Sequence, residues 1–179
     1  MKILDIGCGP NKHPGAIGMD KVALPGVDVV HDLERIPWPF PDDEFDVVHA
    51  SHVLEHLKDL LPVMDEIHRV MKPAGRLIVR VPYYRHETAF RDPTHYRFFT
   101  EQSFDYFAPD GESRYGLNYY SKRRFRVVSM AYGYGGGVAW HIDKYVPSRP
   151  LRKFLHVLVS RKAELQFTLV AVKPDADVG

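Results

Sequence analysis

Lys2-Ile3-Leu4-Asp5-Ile6-Gly7-Cys8-Gly9-Pro10 opens the chain with an apolar run that stops at a pair of glycines. A buried parallel strand that delivers a tight turn to a ligand reads this way. Glycine lacks a Cβ, so backbone there can approach a bound molecule and adopt conformations other residues avoid. The design recurs downstream. Ala16-Ile17-Gly18-Met19-Asp20 and Val27-Asp28-Val29-Val30-His31-Asp32 are short apolar segments that end in an acid. Phe45-Asp46-Val47-Val48-His49-Ala50 and Arg76-Leu77-Ile78-Val79-Arg80-Val81 add two more runs punctuated by Gly, Pro and Asp, as in buried parallel strands.

Between those last two runs, Val53, Leu54, Leu57, Leu60, Leu61, Met64, Ile67, Val70 and Met71 recur at helical spacing. They predict an amphipathic helix that Pro62 bends or splits and that Pro73-Ala74-Gly75 stops. Thr100-Glu101-Gln102-Ser103 carries an N-terminal capping pattern and predicts a shorter helix from Thr100. Two further strands are expected at Phe125–Ala131 and Leu165–Val172, joined by a helix over Arg149–Val159. Strand, turn and helix in alternation imply an α/β fold, a parallel sheet with helices on its faces. Ligands of such sheets sit beyond the carboxyl ends of the strands. Gly7, Asp20, Asp32 and Ala50 all fall at such ends and converge on one crevice.

The 179 residues fit a single domain over 1–179, with 45% hydrophobic and 26% charged residues excluding wholesale disorder. Lys+Arg of 24 against Asp+Glu of 23 gives no signature of a polyanion partner. Cys8 is the only cysteine, which excludes an internal disulfide and suits a reducing compartment. No run approaches the roughly 20 apolar residues that span a bilayer, and no basic-then-apolar leader precedes the first strand. A cytoplasmic location with no membrane partner is the expectation.

Taken in order, these segments resemble the class I S-adenosylmethionine-dependent methyltransferases, most closely the group labelled methyltransferase type 11. The resemblance rests on Leu4-Asp5-Ile6-Gly7-Cys8-Gly9-Pro10, Asp20, Asp32-Leu33 and Phe40-Pro41-Asp42-Asp43-Glu44-Phe45-Asp46-Val47-Val48. It continues through His52-Val53-Leu54-Glu55-His56-Leu57 and Arg69-Val70-Met71-Lys72-Pro73-Ala74-Gly75-Arg76-Leu77, over the first half of the chain. It implies a Rossmann-like, seven-stranded, mostly parallel sheet with helices on both faces and an antiparallel last strand. It also implies S-adenosyl-L-methionine as cofactor. Asp5, Gly7 and Gly9 would form the strand and turn against it, Asp20 would bind the ribose hydroxyls, and Asp32 the adenine amino group. The Leu33 N–H would meet a ring nitrogen, with His49 and Ala50 bordering the methionine moiety. One departure stands out: Asp20 follows Gly9 sooner than is usual, and Asn11-Lys12-His13-Pro14-Gly15 cannot hold the usual first helix.

Three other readings compete. A dinucleotide oxidoreductase would need a third glycine, where Pro10, Asn11 and Lys12 stand. His52-Val53-Leu54-Glu55-His56 matches the inverted zinc-hydrolase motif, although helix-start polarity and packing explain Glu55 and His56 without a metal. A degenerate, non-catalytic cofactor binder would suit the short first loop, but not carboxylates retained at ligand-facing strand ends.

The acceptor side is expected in the polar and aromatic stretch after the fifth strand. Its segment Asp92-Pro93-Thr94-His95-Tyr96-Arg97-Phe98-Phe99 belongs to the resemblance without an assigned role. His52, His86, Asp92 and His95 are the candidates for acceptor chemistry. Of these His86, Asp92 and His95 are suited to a general base or a metal ligand, and no metal centre is assigned. The alternative is a turn around Pro93 capped by Asp92 and Thr94, with His95 and Arg97 packed locally. Lys122-Arg123-Arg124-Phe125-Arg126 is the only basic cluster and reads as a solvated strand entry, and Tyr132–Gly137 as a lid or plain loop. A small-molecule acceptor is favoured over nucleic acid.

Overall fold

β-branched and apolar residues alternate with short polar turns through most of the chain, and the strands they form assemble into one sheet. The computed structural model describes residues 1–116, 118–134, 146–148, 150–151 and 162–173. The strands are β1 (Ile3–Ile6), β2 (Ile17–Asp20), β3 (Val29–Val30), β4 (Phe45–Ser51), β5 (Met71–Pro82), β6 (Arg124–Tyr134) and β7 (Lys162–Val172). They lie in the order β3-β2-β1-β4-β5-β7-β6. β1 to β5 pair in parallel, and β7 runs antiparallel between β5 and β6. The expected sheet, including its antiparallel last strand, is thus present. The direction of crossover reverses between β1 and β4, and a ligand crevice opens at such a switch point.

β3 is shorter than the segment Val27–Asp32 suggests. Asp28 donates its N–H to the Gly18 carbonyl at 2.9 Å, and its side chain accepts from the Gly18 N–H at 2.7 Å. A carboxylate thereby takes over ladder hydrogen bonding just ahead of the regular strand. Asp28 also pairs with Lys12 at 2.6 Å, tying down residues 7–16, which join β1 to β2 without a helix.

The helical segment divides before Pro62. A single 3-10 turn, Leu54–His56, is followed by α1 (Leu60–Val70), whose N-cap Asp59 accepts from the Leu61 N–H. Pro62 sits in the first turn of α1, where the missing N–H has no intrahelical partner to lose. Val63, Met64, Ile67 and Val70 are buried against the sheet. α1 ends at Val70, ahead of the expected stop. β5 begins at once, and Pro73-Ala74-Gly75 falls in a bulge between the pairs Phe45–Met71 and Val47–Arg76.

No α-helix starts at Thr100. The capping contacts form, with the Thr100 N–H donating to Ser103 Oγ at 2.8 Å and the Gln102 N–H to Thr100 Oγ1 at 3.2 Å. The chain then enters a 3-10 turn at Asp105–Phe107. Its three-residue period lets Phe104 and Phe107 both bury, against Phe167 and Phe125 respectively. α1 and α2 (Thr88–Arg91) are the complete α-helices among the described residues; Pro150 and Leu151 are helical, and the rest of the expected helix over 149–159 lies outside them. Tyr132, Gly133 and Tyr134 belong to β6, while Gly135–Gly137 lie outside the described residues. The basic run enters β6 with Arg124 paired to Asp110 and Arg126 to Glu112. Among the described residues, no helix is long and apolar enough to cross a membrane.

Candidate functional site

Gly7 follows β1 at φ +61°, beside Val53. A Cβ at Gly7 would lie 2.7 Å from Val53 Cβ and collide with Cγ2, so bare backbone is required on both conformational and steric grounds. Gly9 also has positive φ, +52°, and its N–H donates to Asp20 Oδ2 at 3.0 Å. Asp20 closes β2, and its Oδ1 accepts from the Val22 N–H at 3.0 Å. Asp32, just past β3, accepts from the Glu34 N–H through Oδ1 alone. Gly7, Asp20, Asp32, Leu33, Val53 and Leu57 wall a cavity of about 300 Å³ together with His52 and His56. Two carboxylates opposite apolar side chains and a glycine turn suit a nucleoside, which offers hydroxyl and amino donors and a flat apolar base.

The other residues proposed for the cofactor lie off this wall. Asp5 is buried and accepts the His13 N–H at 2.7 Å; burial pushes its pKa up, with that hydrogen bond opposing. His49 stacks on His13 at 4.1 Å between ring centres, and burial and the His13 charge hold its pKa down. Ala50 is fully buried in β4 opposite Ile6. Asp5 and His49 anchor the residue 7–16 connection, and Gly9 reaches the crevice through Asp20.

A second cavity, of about 570 Å³, adjoins the first. His52, Glu55, His56, Asp92, His95 and Glu164 stand on its wall, and His52 and His56 belong to both cavities. The segment after β5 is docked here by backbone contacts: the Tyr96 and Arg97 N–H groups donate to the Glu55 carbonyl at 2.8 and 3.2 Å. The Arg97 guanidinium donates to the carbonyls of Leu57 at 3.1 Å and Lys58 at 2.5 Å. Asp92 Oδ1 accepts from the Thr94 N–H and hydroxyl at 2.9 and 2.7 Å, the expected turn around Pro93, and these bonds hold its pKa down. That turn presents His95 edge-on to His56, with ring centres 4.7 Å apart.

His52 has φ +52° and spans two acids, with Nδ1 3.3 Å from Glu55 Oε1 and Nε2 3.0 Å from Glu164 Oε2. Glu55 first, and Glu164 after it, raise its pKa against the opposing effect of burial. His86 is on neither wall; its Nδ1 accepts from the Thr88 N–H at the start of α2. The zinc-hydrolase reading needed His52 and His56 on one helical face. His52 instead precedes a single 3-10 turn in a left-handed conformation, so that geometry is absent. Glu164 of β7 was not foreseen, because in sequence it is one polar residue in an alternating strand. Arg97 gave no sign of bracing the turn below it.

The model of a methyltransferase domain matches residues 1–134. The chain is 36% identical over 83 residues to the sterol 4-C-methyltransferase strm-1 of Caenorhabditis elegans, a match covering 44% of this chain and 24% of that protein. It is 38% identical over 63 residues to the demethylmenaquinone methyltransferase of Lysinibacillus sphaericus, covering 35% of this chain and 26% of that protein. It therefore spans about a quarter of the length of these curated relatives. The crystal structure of an S-adenosylmethionine-dependent methyltransferase from Mesorhizobium loti superposes with a TM-score of 0.55 at 15% identity, over 94% of this chain and 90% of that one. A domain match that runs from β1 to the end of β6, on a sheet of this order, places the chain in the methyltransferase family.

Proposed function

We propose that the chain transfers a methyl group from S-adenosylmethionine to a small-molecule acceptor held in the larger cavity. One observation carries this reading: the cavity suited to a nucleoside and the polar cavity beside it share His52 and His56 as a common wall. A donor and an acceptor that meet in line need two adjoining sites with a narrow boundary. The cofactor supplies an electrophilic methyl group on a sulfonium that is already a good leaving group.

The chain's residues bind and align. Gly7 lets backbone lie flat against the cofactor, Asp20 accepts from the ribose hydroxyls and Asp32 from the adenine amino group, with the Leu33 N–H as the matching donor. Asp5, Gly9, His49 and Ala50 act behind that layer, fixing the turn and the floor of the crevice. His52, held between Glu55 and Glu164 with its pKa raised, stands at the boundary of the two cavities. Asp92 and His95 face the acceptor. The ion pairs that occupy Arg124 and Arg126 support a small molecule over a nucleic acid. The sterol and menaquinone enzymes with partial similarity act on small molecules by their names, in the same direction.

The test has two parts. Calorimetry with S-adenosylhomocysteine should show that Asp32→Ala weakens binding roughly 10- to 100-fold, the worth of a hydrogen bond to a charged group. Unchanged affinity removes Asp32 from the site, and no binding by the parent chain removes the reading. Isotope-labelled S-adenosylmethionine incubated with a cell extract should then label the small-molecule fraction, whereas label confined to RNA or protein overturns the acceptor class.

A further inference from the structure

We propose that Glu55, His56 and His95 form a binding site for a divalent transition-metal ion of the zinc type, on the acceptor side of the crevice. One ligand atom from each residue lies within 4.8 Å of the others, the one such group of three among the described residues.

Glu55 gives the first argument. Its side chain is 1% exposed, and neither carboxylate oxygen has a hydrogen bond. A buried carboxylate is costly unless it is paired, hydrogen-bonded or bound to a metal. His52 comes within 3.3 Å of Oε1 without the alignment of a hydrogen bond, and its other nitrogen serves Glu164. One imidazole placed between two carboxylates leaves both Glu55 oxygens without a hydrogen bond.

The histidines give the second. The Thr94 hydroxyl donates to Asp92, so its oxygen accepts from His56 Nδ1 at 2.9 Å, which puts the ring proton on Nδ1. His95 Nδ1 lies 3.0 Å from the Ala89 carbonyl, which can only accept, so that ring too carries its proton on Nδ1. Both rings are left with a bare Nε2. Metal-binding histidines are held in this way, the second nitrogen given to a carbonyl or, here through a hydroxyl, to a carboxylate. Two imidazole nitrogens and a carboxylate oxygen form a zinc donor set with a fourth position open. Asp92 Oδ2, 3.9 Å from His95 Nε2, is the nearest further carboxylate to His95. The inverted motif in the sequence supplies two of the three ligands, and the segment after β5 supplies the third in place of His52.

The ion would sit in the cavity assigned to the acceptor and acidify a hydroxyl bound there. That use rests on the methyl-transfer reading, whereas binding of the ion does not. The whole chain, stripped with a chelator, should take up one Zn²⁺ per molecule in calorimetry. Co²⁺ should give the visible absorption of a low-coordinate nitrogen–oxygen site. His56→Ala and His95→Ala should each abolish the one-to-one step, with circular dichroism confirming that they fold. Thr94→Val keeps all three ligands and should weaken binding about 10- to 100-fold, as loss of an outer hydrogen bond does. No one-to-one step in the folded parent chain, or a step that survives in both histidine variants, overturns the site. Should the histidine variants fail to fold, unchanged affinity in Thr94→Val overturns it. S-adenosylhomocysteine binding by the metal-free chain tests the methyl-transfer reading separately.

Discussion

Gly7 meets two demands at one atom, a left-handed backbone and an absent Cβ, and they can be separated by mutation. Gly7→Ala should destabilise the chain by about 2–4 kcal/mol, from enforced positive φ together with the collision against Val53. Gly7→Ala with Val53→Ala, measured against Val53→Ala alone, should recover the part of the collision due to Cγ2 and leave the 2.7 Å contact with Cβ and the backbone part. Equal loss in both backgrounds, measured by urea unfolding, would exclude Cγ2 as a source of the effect. At this scale the sequence was partly legible. Gly7, Asp20, Asp32 and Leu33 announce themselves because a strand end followed by a glycine or acid is a local pattern. Glu55 and Glu164 do not: the weight of Glu55 comes from its burial, and that of Glu164 from a contact with His52, 112 residues away in the chain. Asp5 and His49 read as ligand residues by position, yet their side chains turn to His13, whose place is set by the short connection.

α1 and the strands behind it carry a group whose charge state matters to stability. His68 is buried on α1, with Nε2 bonded to the Val172 carbonyl at 3.1 Å, its ring edge-on to Phe125 and Nδ1 without a partner. Burial holds its pKa down; the Val172 carbonyl opposes this, Lys173 and Arg123 reinforce it, and Asp65 opposes it. With the folded pKa below the unfolded value of about 6.5, the unfolded chain binds the proton more readily. Stability is therefore full above that value and falls as pH drops through it, by at most about 1.4 kcal/mol per pH unit for this group. His49, also held down, adds to the same limb. His68→Gln should make the decline in thermal midpoint between pH 7 and 5 shallower, and an unaltered slope would exclude His68 as its source. The elements themselves divide along the same line as the residues. All seven strands were readable from short β-branched and apolar runs, because that composition states its character locally even where, as in β6, most of the strand is exposed. The helix expected at Thr100 was not, because burying Phe104 and Phe107 together settles that segment as a 3-10 turn.

For the molecule as a whole, cofactor binding and folding are one linked equilibrium. S-adenosylhomocysteine at a hundred times its dissociation constant should add about 2.7 kcal/mol of stability. In a domain of this length that corresponds to a rise in midpoint of about 5–10 °C. Asp32→Ala at the same ligand concentration should lose most of the rise, and a full rise in that variant would place the nucleoside elsewhere. The sheet order explains why the site is assembled from distant segments: the reversal between β1 and β4 brings the ends of β1, β2 and β4 to one edge, and the segment after β5 closes the far side. The histidines that partition this edge constrain how such a protein can diversify. On the proposed function, a change at His52 or His56 made to admit a new acceptor would also reshape the smaller cavity beside it, so innovation at the boundary is penalised twice. Variation is freer on the outer rim, at Thr88 and Arg91, where a new side chain alters one compartment and leaves the other intact.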